Sequence, residues 1–152
     1  MSRIAVFPGS FDPITIGHYS IVEKALPLFD TIIIAVGSNT SKTYLFDENK
    51  RFEMTKQAFD QMPKVKVIPF EGLTVDFCKT NNAQYLIRGL RNNIDFEYEK
   101  PIAEINKKLL PDLETIFFIT DAEFSCVSSS IVRELLKNNS NVDQFLPPSV
   151  KI

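Results

Sequence analysis

The chain has 152 residues, 44% hydrophobic and 24% charged, the balance of a soluble globule able to bury a core of its own. Its formal charge is −2 and its pI about 5.5, which excludes the broadly basic surface of a bulk nucleic-acid binder but not a small cationic pocket. No apolar run approaches the roughly 18 residues of a membrane span, and residues 1–20 lack the basic and apolar regions of a signal peptide. A single domain over residues 1–152 is expected. Cys78 and Cys126 lie far apart without metal-ligand spacing, so neither a disulfide framework nor a zinc site is expected, and free thiols fit a reducing cytoplasm.

Five apolar runs recur along the chain: Ile4–Phe7, Thr31–Val36, Val65–Phe70, Tyr85–Ile87 and Thr115–Thr120. They are continuous rather than alternating, as strands buried on both faces of a parallel sheet are. Helix-period stretches separate them, at about 18–29, 48–61, 73–81, 94–109 and 129–137. The alternation predicts an α/β fold with a doubly wound, five-stranded parallel sheet. Asp47 is placed to cap the second helix, Asn92 or Asn93 to open the fourth and Pro111 to end it. Pro101 falls inside that fourth helix and predicts a kink or break near Glu97–Lys100. Pro147-Pro148 predicts a loosely structured tail.

In such a sheet ligands gather beyond the carboxyl ends of the strands. The first such loop is Gly9-Ser10-Phe11-Asp12-Pro13-Ile14-Thr15-Ile16-Gly17-His18. Its glycines permit close backbone approach, and the helix start behind it offers bare N–H groups to an anion. His18 is the one histidine of the chain. It shares a helix face with Val22, Ala25 and Phe29, which makes a core histidine the ordinary alternative. Its place in the first turn, facing the crevice, favours a role at the site instead. The loop after the second strand carries one cation, Lys42. Arg88-Gly89-Leu90-Arg91 follows the fourth strand, where guanidinium forks match phosphate oxygens. The structural alternative is a pair with Asp95, Glu97 or Glu99, but both arginines flank the predicted switch point, which favours a ligand. Ser128-Ser129-Ser130 opens the last helix, where one serine suffices as a cap and three place several donors at its positive end. Arg133 adds charge there or pairs with Glu134 or Asp143.

These stretches resemble a known family. Thr15-Ile16-Gly17-His18 resembles the (T/H)-x-G-H motif of the nucleotidylyltransferases. Pro8 through Thr15, Ser41-Lys42, Tyr85 through Arg91, Asp95-Phe96-Glu97-Tyr98-Glu99, Val127-Ser128-Ser129-Ser130-x-x-Arg133 and Phe145-Leu146-Pro147 are similar to bacterial phosphopantetheine adenylyltransferase, over almost the whole chain. The resemblance implies a Rossmann-like nucleotidylyltransferase fold and adenylyl transfer from ATP to 4′-phosphopantetheine, giving dephospho-coenzyme A and pyrophosphate. It implies that His18 is catalytic and stabilises the transferring phosphoryl group. It assigns ATP to Ser10, Phe11, His18, Gly89, Leu90, Arg91, Glu99, Phe124, Ser125, Cys126, Val127, Ser128, Ser129 and Ser130. It assigns the acceptor to Ser10, Lys42, Thr74 and Arg88. Mg²⁺ is expected to ride mainly on ATP, with no metal held by the chain, and a cytoplasmic homohexamer is implied, without nucleic-acid or membrane partners. Position 10 is more often threonine in the family, and serine keeps the hydroxyl. Other nucleotidylyltransferases, acting on nicotinamide mononucleotide or glycerol phosphate, stay open as alternatives, as does an idle nucleotide-binding module. A histidine among phosphates is expected to hold its proton more firmly.

Overall fold

The computed structural model describes residues 1–152. Strand and helix alternate along the chain as β1 (Ile4–Gly9), α1 (Ile16–Ala25), β2 (Thr31–Gly37), α2 (Glu48–Phe59), β3 (Val65–Phe70), α3 (Thr74–Thr80), β4 (Tyr85–Leu90), α4 (Asn93–Leu109), β5 (Glu114–Ile119) and α5 (Ser129–Lys137). The five strands form one parallel sheet in the order β3-β2-β1-β4-β5. This is the doubly wound arrangement that the apolar runs predict.

Side chains alternate across the sheet and both faces are covered. Ala5, Phe7, Ile32, Ile34, Val36 and Ile87 face a core closed by Val22 of α1, Met54 of α2 and Val132 of α5. Val6, Ile33, Ala35 and Leu86 face a smaller core closed by Val75 and Cys78 of α3. Burial pushes the Cys78 thiol up to about 12, so it is an inert packing group.

The strand order reverses between β1 and β4, and the sheet opens there. β1 pairs with β2 from Ile4–Thr31 to Gly9–Val36, but with β4 only at Ala5–Tyr85 and Val6–Leu86. Pro8 has no N–H to offer a ladder on either side. Beyond Val6 the two strands part, leaving a crevice and an unpaired Pro8 carbonyl that a side chain of β4 claims.

Helix boundaries fall where local chemistry puts them. Asp47 Oδ1 accepts from Lys50 N at 2.8 Å, and Asn92 Oδ1 from Asp95 N at 2.9 Å, so both caps are as predicted. α1 starts two residues before the apolar spacing indicates, because Thr15 caps it, and stops at Ala25 because Pro27 follows. Phe29 lies beyond the helix yet stays buried. Two expectations are corrected. α4 runs unbroken through Pro101, so Glu99 keeps a helical setting; the proline only removes the N–H that would have reached the Glu97 carbonyl. The tail is not loose: Leu146 and Val150 are buried, and Ser149 Oγ donates to Gln57 O at 2.9 Å, which docks it on α2.

Candidate active site

The β1–α1 loop is built around one aromatic ring. Phe11 adopts φ 48°, a left-handed conformation that an L-residue holds at a cost of about 1 kcal/mol. The twist tucks its ring under the loop, 5.7 Å from Phe7 and 5.0 Å edge-on from His18. Gly9 is required by that packing, since a Cβ there would sit 3.0 Å from the Phe11 ring. Gly9 thus serves close approach, and the positive φ falls on Phe11. Asp12 is buried and accepts from Leu45 N at 2.8 Å and Phe46 N at 2.9 Å, which ties the loop to the segment before α2.

His18 sits at the third position of α1 in a capping box. Thr15 Oγ1 accepts from His18 N at 3.4 Å, and His18 Nδ1 accepts from Thr15 N at 3.0 Å. A backbone N–H only donates, so Nδ1 is bare and the proton of the neutral ring is on Nε2. The half-buried ring is lowered to about 4, first by burial and then by the positive charges of Arg88 and Arg91. The sign is opposite to that expected from phosphates. Before any anion enters, the neighbours of His18 are cations, and it is a neutral Nε2–H donor at pH 7.

Both arginines of β4 and its exit find carboxylates. Arg88 Nε donates to Glu99 Oε2 at 3.0 Å, its Nη2 to Glu99 Oε1 at 2.5 Å, and its Nη1 to the stranded Pro8 carbonyl at 2.8 Å. Arg91 pairs with Asp95 through Nε at 3.1 Å and Nη2 at 3.2 Å. Burial acts to raise the Asp95 carboxyl, but hydrogen bonds from the Arg91 side chain and backbone outweigh it and hold the group below its usual range. The structural pairing is therefore realised, without consuming the guanidinium groups. Of the five N–H groups of Arg88, three are used, and one each on Nη1 and Nη2 remains unspent on a side chain that lines the crevice. Gly89 does not turn the chain; it lies within β4, where a Cβ would come 3.2 Å from the Ile21 side chain of α1.

Each serine at the start of α5 has its own work. Ser128 Oγ caps the helix by accepting from Ile131 N at 3.2 Å, Ser129 Oγ donates to Pro13 O at 2.8 Å, and Ser130 Oγ accepts from Arg133 Nη2 at 3.1 Å. Only the Ser129 hydroxyl spends its proton on the fold; Ser128 and Ser130 accept in these bonds and keep an O–H to donate, beside the first N–H groups and positive dipole of this helix end. Arg133 pairs with neither Glu134 nor Asp143; its Nη1 reaches back to Asp12 O at 2.8 Å.

Two cavities meet in the crevice. One, of about 380 Å³, is lined by Ser10, Lys42, Thr74 and Arg88 with Ser38, Asn39, Tyr44, Tyr98, Ile102 and Asn106. It gathers the four residues assigned to the acceptor. The other, of about 330 Å³, is lined by Ser10, Phe11, His18, Gly89, Arg91, Glu99, Val127, Ser128 and Ser129 with Asp12, Thr120 and Arg133. Pro8, Gly9, Ser10, Arg88 and Glu99 belong to both walls. Leu90, Phe124, Ser125, Cys126 and Ser130 line neither cavity. Leu90 ends β4; Phe124 closes a short 3-10 turn, Ala122–Phe124, and Ser125 Oγ donates back to Ala122 O. The sequence reading overlooks Tyr44, Asn106 and above all Arg51. Arg51 lies fully buried on the apolar face of α2 with Met54, Thr55 and Ala58, and a lone charge at that helical spacing was the signal.

A parallel sheet opening at its switch point, with a His-capped loop and a cationic crevice, defines a nucleotidylyltransferase-type α/β protein. The comparisons agree. The Cytidylyltransferase-like family model matches residues 6–135. Phosphopantetheine adenylyltransferase of Bacteroides thetaiotaomicron is 49% identical over 150 residues, 99% of each chain. That of Flavobacterium psychrophilum is 47% identical with the same coverage, and that of Leptospira biflexa 49% identical over 99% of this chain and 94% of its own. Among solved structures, a bifunctional NMN adenylyltransferase/ADP ribose pyrophosphatase from Francisella tularensis shares the fold, with TM-score 0.71 and 18% identity, over 96% of this chain and 45% of that one. The chain belongs to the phosphopantetheine adenylyltransferase family.

Proposed function

We propose that the chain transfers the adenylyl group of ATP to 4′-phosphopantetheine, releasing pyrophosphate and forming dephospho-coenzyme A. The observation that carries this reading is the shared wall. A cavity with Lys42 and an apolar side at Tyr98 and Ile102 meets a cavity with His18 and the α5 N-terminus at Ser10 and Arg88. A phosphate-tipped acceptor with an uncharged arm fits the first, and a nucleotide triphosphate the second.

In this reaction an acceptor phosphate oxygen bonds to the α-phosphorus of ATP while the bond to pyrophosphate breaks. No covalent intermediate is needed, so the barrier is lowered by positioning and charge neutralisation. The two unspent N–H groups of Arg88 would hold the acceptor phosphate, with Lys42 and Thr74 at the cavity wall. His18 Nε2–H would donate to the α-phosphate as its oxygens gain charge, and Arg91, Arg133 and the α5 N-terminus would receive the β- and γ-phosphates. The crevice carboxylates are engaged, Glu99 by Arg88, Asp95 by Arg91 and Asp12 by two backbone N–H groups, which fits Mg²⁺ held by the triphosphate and its waters rather than by the chain. There the ion would neutralise pyrophosphate as it leaves.

Assembly from copies of this chain is supported by an apolar stripe on α4, and the homohexamer is what the family resemblance implies. Ile94, Tyr98, Ile102, Ile105 and Leu109 are 74, 70, 40, 54 and 60% exposed, beside Ile119 of the sheet edge at 76%. No helix is long and apolar enough to cross a membrane. The free thiols fit a reducing cytoplasm.

The test is direct. Purified protein with ATP, Mg²⁺ and 4′-phosphopantetheine is followed for pyrophosphate, and the product is weighed. Dephospho-coenzyme A appearing with pyrophosphate is the expected result. Turnover with nicotinamide mononucleotide in its place, and none with 4′-phosphopantetheine, would overturn the reading.

A further inference from the structure

α2 buries an arginine where its neighbours Met54 and Ala58 supply a core. Arg51 is 1% exposed, forms none of the ion pairs of the chain, and leaves its Nε without a hydrogen-bond partner. A cation buried without a carboxylate carries a large desolvation cost, and an apolar side chain of the same volume would pack there without it. Core packing therefore does not account for the residue.

Its hydrogen bonds do. Nη1 donates to Ser10 O at 2.6 Å and to Gly37 O at 2.9 Å, and Nη2 to Ser38 Oγ at 3.4 Å. The guanidinium plane is covered by Tyr44, whose ring centre lies 4.0 Å away and whose hydroxyl accepts from Asn39 N at 2.9 Å. Ser10 begins the loop that shapes the His18 cavity. Gly37 and Ser38 begin the loop that carries Lys42. Arg51 clamps the two roots from beneath the wall where the cavities meet.

We propose that Arg51 is a positioning residue for the transfer step: it fixes Ser10 relative to the Gly37–Tyr44 loop, and so the distance at which the two phosphates meet. The inference rests on the adenylyl-transfer reading above. It touches neither substrate, so its loss acts on geometry. An in-line displacement is sensitive to misplacement by about 1 Å, which costs on the order of a hundredfold in rate.

The experiment compares the native chain with Arg51→Lys and Arg51→Met. Lysine keeps the charge and most of the stem, but a shorter side chain with one nitrogen cannot span Ser10, Gly37 and Ser38 or lie flat on Tyr44. For Arg51→Lys a lowered melting temperature in a chain that still folds at assay temperature, an ATP dissociation constant changed by less than about threefold, and a kcat of the folded protein lower by about tenfold are expected, with a raised KM for 4′-phosphopantetheine. Arg51→Met should lose more. A purely structural role would lower the melting temperature and leave the kcat of folded protein and both substrate constants in place. A folded variant of either kind with kcat within about twofold of native would overturn the proposal; if Arg51→Met does not fold, Arg51→Lys alone decides. Turnover by the native chain with an unaffected variant refutes Arg51 alone, whereas a native chain that makes no dephospho-coenzyme A refutes the functional reading and this proposal with it.

Discussion

His18 gives the sharpest prediction, because its environment reverses between the empty and occupied site. In the empty site its pKa falls from 6.5 to about 4. A lowered pKa means that the unfolded chain binds the proton more readily. Between about pH 6.5 and 4, stability must therefore fall as the pH falls, and above about pH 6.5 His18 contributes its full share. At about 1.4 kcal/mol for each tenfold in proton affinity, the whole drop corresponds to about 3 kcal/mol. Carboxylates such as Asp95 and Asp121 weaken the fold in acid as well, so the measurement is a difference. Urea unfolding of the native chain and of His18→Gln is recorded from pH 7.5 to 4.5. The advantage of native over variant at pH 7.5 should shrink by about 2 kcal/mol at pH 4.5. Triphosphate beside the same ring acts in the opposite direction, so at pH 6 ATP binding to the native chain should take up more proton, or release less, than binding to His18→Gln, a difference that cancels the proton exchanged by the terminal phosphate itself and is read by calorimetry in buffers of different ionisation enthalpy. A pH-independent stability difference, or the same proton exchange on ATP binding in native chain and variant, would refute the account of His18 as a neutral Nε2–H donor raised toward charge by phosphate.

Other expectations follow from the same geometry. Glu99→Gln breaks the two-pronged pair with Arg88; with Arg88 partly exposed the fold should lose about 2 kcal/mol by denaturant titration, and kcat should fall as the fork loosens. Asp12→Asn keeps one of two backbone acceptors and should cost about 1–2 kcal/mol. Lys42→Ala should raise the KM for 4′-phosphopantetheine about tenfold with the ATP constant unmoved, since Lys42 lines only the acceptor cavity. Gly89→Val, driven into Ile21, should destabilise by about 2 kcal/mol, and an unchanged melting temperature would show that α1 can shift away from β4.

The fold was legible because its signals are local and redundant. Continuous β-branched runs mark buried parallel strands whatever surrounds them, and Asp47 and Asn92 cap by chemistry carried within three residues. The tail was not legible: Leu146 and Val150 are ordinary apolar residues among prolines, and only the groove against α2 makes them core. Pro101 misled because the penalty of an interior proline is local, while the pairs that anchor α4, Arg88 with Glu99 and Arg91 with Asp95, bridge its start to β4 and its exit. At the site, residues that chemistry alone marks, His18, Lys42, Arg88 and Arg91, line the two cavities. Those that act through another element were overlooked. The reach of Arg51 to the Ser10 and Gly37 carbonyls exists only once three dimensions bring the partners in, whereas the Nδ1 bond that fixes the His18 tautomer is local, made to Thr15 three residues back.

The two sides of the crevice differ in how much order they hold before substrate arrives. At the shared wall and on the His18 side every cation is already fixed: Arg88 by Glu99 and Pro8, Arg91 by Asp95, Arg133 by Asp12 and Ser130. The carboxylates look self-defeating in a site for anions, since they cancel charge. They also hold the side chains in place, so the rotamer entropy of a long cation, up to about 2 kcal/mol each, is not lost again on binding. Donors aimed in advance at a developing charge need no reorganisation as the reaction proceeds. Lys42 is the exception, exposed on a turn whose root alone is clamped by Arg51. Under the proposed reaction an exposed cation would suit the partner that must enter, be gripped and leave in a new chemical form, while the fixed array would suit the phosphoryl group on which charge builds.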